Sequence, residues 1–131
     1  MVVLDTTFLI HFLKNKQNAL AKAKSLGVEV STTRLNIFEF LIGVYYEKDV
    51  ETEKMFGIFN DFLDSIRILE LDATSADTAA KISVDLRRKG LTVKDNDILI
   101  AAIALTNGEE TIITQNTKDF SKIKGIKADG Y

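Results

Sequence analysis

The stretch Val93-Lys94-Asp95-Asn96-Asp97-Ile98-Leu99-Ile100-Ala101-Ala102-Ile103-Ala104-Leu105 places two acids in front of an unbroken apolar run. A helix that is apolar on every side is a buried helix. Asp95, Asn96 or Asp97 could cap its first turn, because short polar side chains accept from free backbone N–H groups. Alternatively, Asp97 is carried inward with the helix and faces a cleft. A carboxylate there must be paired or bound to a metal, since an isolated buried charge is very costly.

Length and composition indicate a single globular domain that spans residues 1–131. Apolar residues make up 46% of the chain and charged residues 27%, which is the balance of an ordinary globular protein. The absence of cysteine excludes disulfides and thiolate metal sites, and a single histidine, His11, excludes a histidine-rich zinc site.

Charge and hydropathy narrow the class of protein further. The net charge of −2 argues against a protein that coats nucleic acid by bulk charge, but it leaves open an enzyme that acts on nucleic acid. No basic segment precedes an apolar one at the start of the chain, and no apolar run reaches the roughly 18 residues needed to cross a membrane. We expect a cytoplasmic protein with no membrane contact.

Short apolar runs alternate with helical patterns along the whole chain. Strands are predicted at 2–4, 28–33, 66–71 and 111–114, with one more short strand around Ile126. Helices are predicted at 8–13, 19–26, 34–47, 49–64, 75–89 and 93–105. This alternation predicts a three-layer α/β/α fold with a central, mainly parallel sheet of four to five short strands.

The predicted helix 34–47 carries an acid inside an apolar pattern. Its helical spacing predicts a buried face formed by Leu35, Phe38, Leu41, Ile42 and Tyr45. Glu39 interrupts this pattern between two phenylalanines. It is either a surface glutamate on the flank of the helix or an acid that faces inward.

The predicted helix 49–64 has more aromatic surface than one core face needs. Phe56, Phe59 and Phe62 recur along it at helical spacing. They either pack in the core or form part of a surface that binds a partner helix, as exposed apolar patches tend to do.

Four acidic or amide positions are expected to meet at one edge of the sheet. Asp5 follows the first strand, the segment from Asn116 to Asp119 follows the fourth, and Asp97 begins the buried helix. Ligands of open α/β sheets bind outside the carboxyl ends of the strands, although Asp5 could also be a simple helix cap. Clustered carboxylates repel one another unless a cation is present, and Mg²⁺ or Mn²⁺ suits such oxygen ligands. The chemistry supported is metal-assisted phosphodiester hydrolysis.

Three segments carry a resemblance to a known family. They are Leu4-Asp5-Thr6, Asp97-Ile98-Leu99-Ile100-Ala101-Ala102 and Ile113-Thr114-Gln115-Asn116-Thr117-Lys118-Asp119-Phe120, together with Glu39 in its apolar helix. In these segments, which extend over nearly the whole chain, the sequence resembles the PIN-domain nucleases. Its size and the Lys89-Gly90-Leu91 approach to the Asp97 helix look most like the VapC toxins of prokaryotic toxin–antitoxin pairs.

The resemblance implies particular roles for site residues. Asp5, Glu39 and Asp97 match the family's three main acids, which bind Mg²⁺ or Mn²⁺. Family members place the fourth acid at either the Asn116 or the Asp119 position, so here the resemblance implies Asp119 as the fourth metal ligand, with Asn116 as a polar contact. Two hydroxyls also match site positions, those of Thr6 and Thr114.

The resemblance also implies an activity and partners. It implies an endoribonuclease, commonly a homodimer, that a cognate antitoxin silences by binding in a groove near the site. The aromatic stripe Phe56, Phe59 and Phe62, or the pair Tyr45 and Tyr46, would be candidates for those interfaces.

Two local surpluses of basic residues could steer RNA to this site. Residues 81–94 carry five basic side chains against one acid, and residues 118–127 carry four against one. The candidate RNA-binding residues are Arg87, Arg88, Lys89, Lys94 and Lys118. They could equally be solvated side chains near a helix C-terminus, which the helix dipole favours.

Two other classes of protein remain open. A PIN-like domain could be kept for binding RNA or protein with little catalysis, although a binding module gains nothing from carboxylates that face phosphate. A phosphatase with an aspartate nucleophile would want a second acid two residues after Asp5, where this chain has Thr7.

Overall fold

A computed structural model describes residues 1–47 and 50–131. The strands are β1 Val2–Leu4, β2 Val30–Thr33, β3 Arg67–Leu69, β4 Thr111–Ile113 and β5 Lys127–Asp129. The helices are α1 Thr6–Leu13, α2 Gln17–Leu26, α3 Arg34–Glu47, α4 Val50–Leu63, α5 Ala73–Arg88, α6 Asp95–Thr106 and α7 Thr117–Phe120. Asp49, the predicted first residue of the fourth of these helices, lies outside the described residues.

The five strands form one parallel sheet in the order β3-β2-β1-β4-β5. Val3 is paired with Ser31 of β2 on one side and with Ile112 of β4 on the other. After β1, the strands β2 and β3 are added on one side of it. The chain then crosses the sheet, and β4 and β5 are added on the other side. The carboxyl ends of β1 and β4 therefore flank a topological switch point, where open α/β sheets bind ligands. The predicted parallel sheet is confirmed.

Helices cover both faces of the sheet, as the predicted three-layer fold requires. Alternate strand residues point to opposite faces, so Val3 and Ile112 enter one core with α5, α6 and α7. Leu4 and Ile113 enter the other core, which α1, α2, α3 and α4 cover. A residue that follows either strand is consequently held between two packed layers.

The helix α6 is buried on every side, as its sequence predicted. Ile100, Ala101, Ala102, Ile103 and Ala104 are all fully buried. The three alanines let the helix backbone pack closely along α5, its main neighbour. Rigid packing of α6 fixes the position of the acids in its first turn.

The buried face predicted for α3 is wrong at three of its five residues, whereas Leu35 and Leu41 do pack against the cores. Phe38, Ile42 and Tyr45 are more than half exposed, whereas Ile37, Phe40, Val44 and the polar Asn36 face inward. Apolar residues lie on more than one face of α3, so the hydrophobic pattern does not show which face is buried. The polar residue Asn36 lies on the face that is buried.

The aromatic stripe of α4 belongs mainly to the core. Phe59 is fully buried and stacks on Phe40 with ring centroids 3.7 Å apart, and Phe62 packs against Phe12 at 5.8 Å. Core packing therefore accounts for this stripe better than the alternative of a partner surface. Among the described residues, no helix is both long and apolar enough to cross a membrane.

Candidate active site

An acidic cavity of about 550 Å³ opens at the carboxyl edge of the sheet. Seven sequence-predicted site residues line it: Asp5, Thr6, Glu39, Lys94, Asp97, Asn116 and Asp119. Its wall also includes Thr7, Asp95 and Asn96. Residues that are up to 114 positions apart in the chain thus share one cavity, as the parallel sheet led us to expect.

Asp5 stands at the N-cap position of α1, but its carboxylate makes no capping hydrogen bond. Instead, one oxygen accepts from Asn36 Nδ2 at 2.9 Å and the other from the Thr114 hydroxyl at 2.7 Å. Burial raises the pKa of this carboxyl group, and the hydrogen bonds from Thr114 and Asn36 oppose that rise. Asp5 is consequently oriented by its neighbours and is not free to turn.

Asn36 is a site residue that the sequence interpretation missed. It is fully buried, and its amide oxygen accepts from the Thr33 hydroxyl at 2.7 Å. That bond fixes the amide so that Nδ2 donates to Asp5 and also to the Thr6 hydroxyl at 3.1 Å. Its position three residues before Glu39 was the available signal, because residues three apart share a helix face.

Glu39 faces the cavity from α3 rather than lying on an outer flank. One carboxylate oxygen accepts from the Thr6 hydroxyl at 2.8 Å, and the side chain is half-buried. Thr6 thus links the first-strand segment to α3, and Glu39 reaches the same space as Asp5.

Asp97 is carried inward by α6, and the alternative of a helix cap is wrong. Lys94 occupies the N-cap position without a side-chain capping bond. Asp97 Oδ2 accepts from Asn116 Nδ2 at 2.9 Å. Burial, followed by the negative charges of Asp5 and Glu39, raises the pKa of Asp97 to about 6, whereas Lys94 opposes this rise. The charges of Asp5 and Glu39 therefore reach Asp97 within the cavity.

The segment after β4 supplies two different kinds of group. Thr114 is fully buried, donates to Asp5 and accepts from the backbone N–H of Asn116 at 2.9 Å. Asp119 also lines the cavity, but it pairs with Lys122 at 2.9 Å. The hydrogen bond from Lys122 lowers the pKa of Asp119. Asn116, expected as a polar contact, donates to Asp97, and its side chain also bonds Asp119, which in addition is paired with Lys122.

Of the predicted basic residues, one lines this cavity and the others lie outside its wall. Lys94 is in its wall, and Arg87 borders a neighbouring cavity that also contacts Asp95. The remaining three are exposed and stand outside that wall: Arg88, Lys89 and Lys118. Lys89 forms an ion pair with Asp85 at 3.0 Å, which partly neutralises its positive charge.

The donor set suits a hard divalent cation that keeps part of its hydration shell. Within residues 1–47 and 50–131, no three acidic or histidine side chains already close around a single metal position. Mg²⁺ binds through one or two carboxylates and retains several waters, so it does not need an all-protein cage. The raised pKa values of Asp5 and Asp97 indicate negative charge that a cation would stabilise.

A parallel sheet with an acidic cavity at its switch point defines an α/β protein with a candidate metal-assisted hydrolytic site. The family model for the PIN domain matches residues 2–126, and the chain belongs to that family. A Ribonuclease VapC of Rickettsia bellii is 30% identical over 96% of this chain and 92% of its own length, so the resemblance to VapC-type PIN nucleases that the motifs indicated is confirmed.

Individual relatives agree with this assignment. A tRNA(fMet)-specific endonuclease VapC of Shigella flexneri is 27% identical over 98% of this chain and 96% of its own length. The VapBC structure from Salmonella typhimurium, solved bound to DNA, matches with a TM-score of 0.83 at 26% identity, covering 98% of this chain and 96% of that one. VapBC2 of Rickettsia felis, bound to a promoter DNA fragment, shares the fold with a TM-score of 0.86 at 22% identity, covering 100% and 99% of the two chains.

Proposed function

We propose that this chain is a divalent-metal-dependent endoribonuclease that acts as a single domain and is the toxin of a toxin–antitoxin pair. The observation that carries the proposal is that the carboxylates of Asp5, Glu39 and Asp97 reach one cavity from three separate elements, where the charges of the first two raise the pKa of Asp97. The similarity to curated VapC ribonucleases supports the choice of RNA as substrate.

The proposed ligands of the cation are the carboxylates of Asp5, Glu39 and Asp97, with Mg²⁺ or Mn²⁺ as the metal. When bound, such a cation supplies Lewis-acid activation of water and neutralises charge on the scissile phosphate. The chain's own polar groups orient these acids: Thr114 and Asn36 hold Asp5, and Thr6 holds Glu39. Asn116 holds Asp97. The role of Asp119 as a fourth metal ligand remains a prediction.

The proposed path for RNA runs from Lys94 in the cavity wall along the predicted basic residues outside that wall. Lys94 is placed to meet a phosphate at the site itself, since it lines the same wall as Asp97. Arg87, Arg88, Lys89 and Lys118 would contact flanking phosphates and so position the strand without reading its sequence.

The proposed partners are a second copy of the chain and a protein antitoxin. On α3, Phe38, Ile42 and Tyr45 lie on one exposed face at spacings of four and three residues, and Tyr46 is 88% exposed beside them. Such an apolar face supports a homodimer interface. The VapBC structures that match this chain support an antitoxin as the other partner.

Removing the metal should abolish cleavage of RNA. Protein stripped with EDTA is expected to be inactive and to recover when Mn²⁺ or Mg²⁺ is restored. Asp5→Asn should lower the cleavage rate by more than about 100-fold even with metal, since loss of groups that merely support metal ligands already costs about 10–100-fold. The measurement is the release of fragments from a labelled RNA pool at fixed protein concentration.

Asp61→Asn on the exposed surface of α4 is the matched control, because it removes the same charge outside the cavity. It should leave cleavage unchanged. EDTA-resistant cleavage, or full activity of Asp5→Asn, would contradict the proposal. A well-folded protein that binds RNA but cleaves none under any metal would instead favour the second candidate, a PIN-like binding module.

A further inference from the structure

Lys122 bridges two segments at the rim of the acidic cavity. It lies two residues after α7, and its ammonium group donates to Asp119 Oδ1 at 2.9 Å and to the carbonyl of Thr92 at 3.1 Å. Only about a quarter of each side chain of the ion pair is exposed, 25% for Lys122 and 27% for Asp119. The contact therefore joins the segment that carries Asp119 to the loop that leads into α6.

The ion pair with Lys122 distinguishes Asp119 from the other acids of the cavity, although the charge of Asp119 still raises the pKa of Asp97. Asp5, Glu39 and Asp97 accept hydrogen bonds from neutral hydroxyl or amide groups, and the charge of Lys94 offsets that of Asp97 only in part, without a hydrogen bond to it. Asp119 alone among these four has an ammonium group bonded to it in the described part of the chain. A divalent cation and an ammonium group that approach the same carboxylate repel each other.

We propose that Lys122 is a positioning residue that withholds Asp119 from metal binding. With Lys122 in place, the inner acids Asp5, Glu39 and Asp97 bind one divalent cation. Asp119 contributes to a second cation only when Lys122 no longer holds it. This inference rests on the proposed metal-dependent function and concerns how many cations the same cavity accepts.

The number of bound Mn²⁺ ions tests the inference directly. The full chain is titrated with Mn²⁺ alone at pH 7.5, and the free ion is followed by its electron paramagnetic resonance signal. Wild-type protein should bind one ion. Lys122→Met should bind a second, weaker ion, because the Asp119 carboxylate is then uncompensated. Lys122→Arg keeps a cation beside Asp119 and should return the count to one.

Two further variants separate this role from a merely structural one. The double variant Lys122→Met with Asp119→Asn should bind one ion again, because the released carboxylate is gone. Lys81→Met breaks a comparable lysine–aspartate pair on α5, with Asp77 at 3.0 Å, and should leave the count at one. Asp119→Asn alone should leave the dissociation constant of the first ion nearly unchanged, because the charge that it removes is already paired with Lys122.

Either of two results overturns the inference: a Mn²⁺ count of one in folded Lys122→Met, or a first ion that Asp119→Asn weakens as strongly as Asp97→Asn does. The wild-type titration reports separately on the proposed function. If wild-type protein binds no Mn²⁺, the metal-dependent function fails and the inference fails with it. Circular dichroism on each variant establishes that the compared proteins are folded.

Discussion

Asp97→Asn is expected to make the metal-free protein more stable while abolishing cleavage. At pH 7.5 the ionised carboxylate is held in the fold at a cost, because burial and the charges of Asp5 and Glu39 disfavour it. Asparagine has nearly the same shape, and its oxygen can still accept from Asn116. Each unit of pKa corresponds to about 1.4 kcal/mol, so a rise from 3.8 to about 6 sets an upper bound of about 3 kcal/mol.

Relaxation and partial solvation reduce this bound, and we expect a gain of roughly 1–2 kcal/mol in the free energy of unfolding. That gain corresponds to a rise in Tm of about 4 °C per kcal/mol for a chain of this size. The cleavage rate with Mn²⁺ should fall by more than about 100-fold, since a proposed metal ligand is lost. Thermal unfolding in EDTA and the RNA cleavage assay measure the two effects.

The stability gain should depend on pH in a defined direction. Because the folded-state pKa of Asp97 is raised, the folded protein holds a proton that the unfolded chain releases between about pH 4 and pH 6. Wild-type stability therefore falls across this window as pH rises. The advantage of Asp97→Asn should be small near pH 4, grow through the window and stay constant above it. Saturating Mn²⁺ should reverse the order, because it stabilises only the protein that binds it.

Asp95→Asn provides the control for these measurements. Asp95 is exposed in the same first helical turn and carries the same formal charge. Its loss should be neutral or slightly destabilising, since an acid at a helix N-terminus is favourable by about 0.3–1 kcal/mol. Two results would contradict the role of Asp97 as a destabilising metal ligand. One is the same change in the free energy of unfolding for both variants, and the other is retained cleavage in Asp97→Asn.

Asn36→Ala is expected to weaken both the fold and the site. The buried amide bonds Asp5, Thr6 and Thr33, and alanine leaves these polar groups without that partner. An unsatisfied buried group costs about 1–3 kcal/mol, and the small cavity adds to it, so we expect a loss of about 2–4 kcal/mol in the free energy of unfolding. Because Asp5 also loses its orientation, cleavage and Mn²⁺ affinity should fall about 10–100-fold.

Urea unfolding and Mn²⁺ titration below the unfolding transition measure these two losses. Asn107→Ala is the matched control, since Asn107 lies at the opposite end of α6 from Asp97 and donates to the Ile103 carbonyl at 2.8 Å. It should cost about 1 kcal/mol, the value of a typical hydrogen bond, and leave Mn²⁺ affinity unchanged. If folded Asn36→Ala binds Mn²⁺ as tightly as the wild-type protein, Asn36 does not orient Asp5 for metal binding.

The sequence predicted the layers of this fold because each short strand is apolar and each intervening segment has a helical pattern. It also predicted which acids share an edge, since a parallel sheet brings the carboxyl ends of β1 and β4 together. The phase of α3 could not be read from its apolar residues, because both faces of that helix carry them. Asn36 and Glu39 fix the phase through contacts with Thr33, Asp5 and Thr6, which are distant in the sequence or outside the helix.

The sequence also could not show which of Asn116 and Asp119 contacts Asp97 and which is paired with Lys122. Both residues follow β4, and only the folded chain brings Lys122 and the Thr92 carbonyl together at the rim. That contact draws Asp119 to the rim, while Asn116 turns toward Asp97. Spacing alone carries no information about such a three-way contact.

The central claim is that Asp5, Glu39 and Asp97 share one divalent cation. An anomalous difference map from crystals of the wild-type protein soaked in Mn²⁺ tests it most directly. We predict a peak in the acidic cavity within about 2.0–2.3 Å of oxygens from one or two of these side chains, with water between the ion and the remaining carboxylate, in the range of hard-cation ligand distances. A map that shows no Mn²⁺ in the cavity at saturating concentration, or shows it bound elsewhere on the chain, would contradict the account.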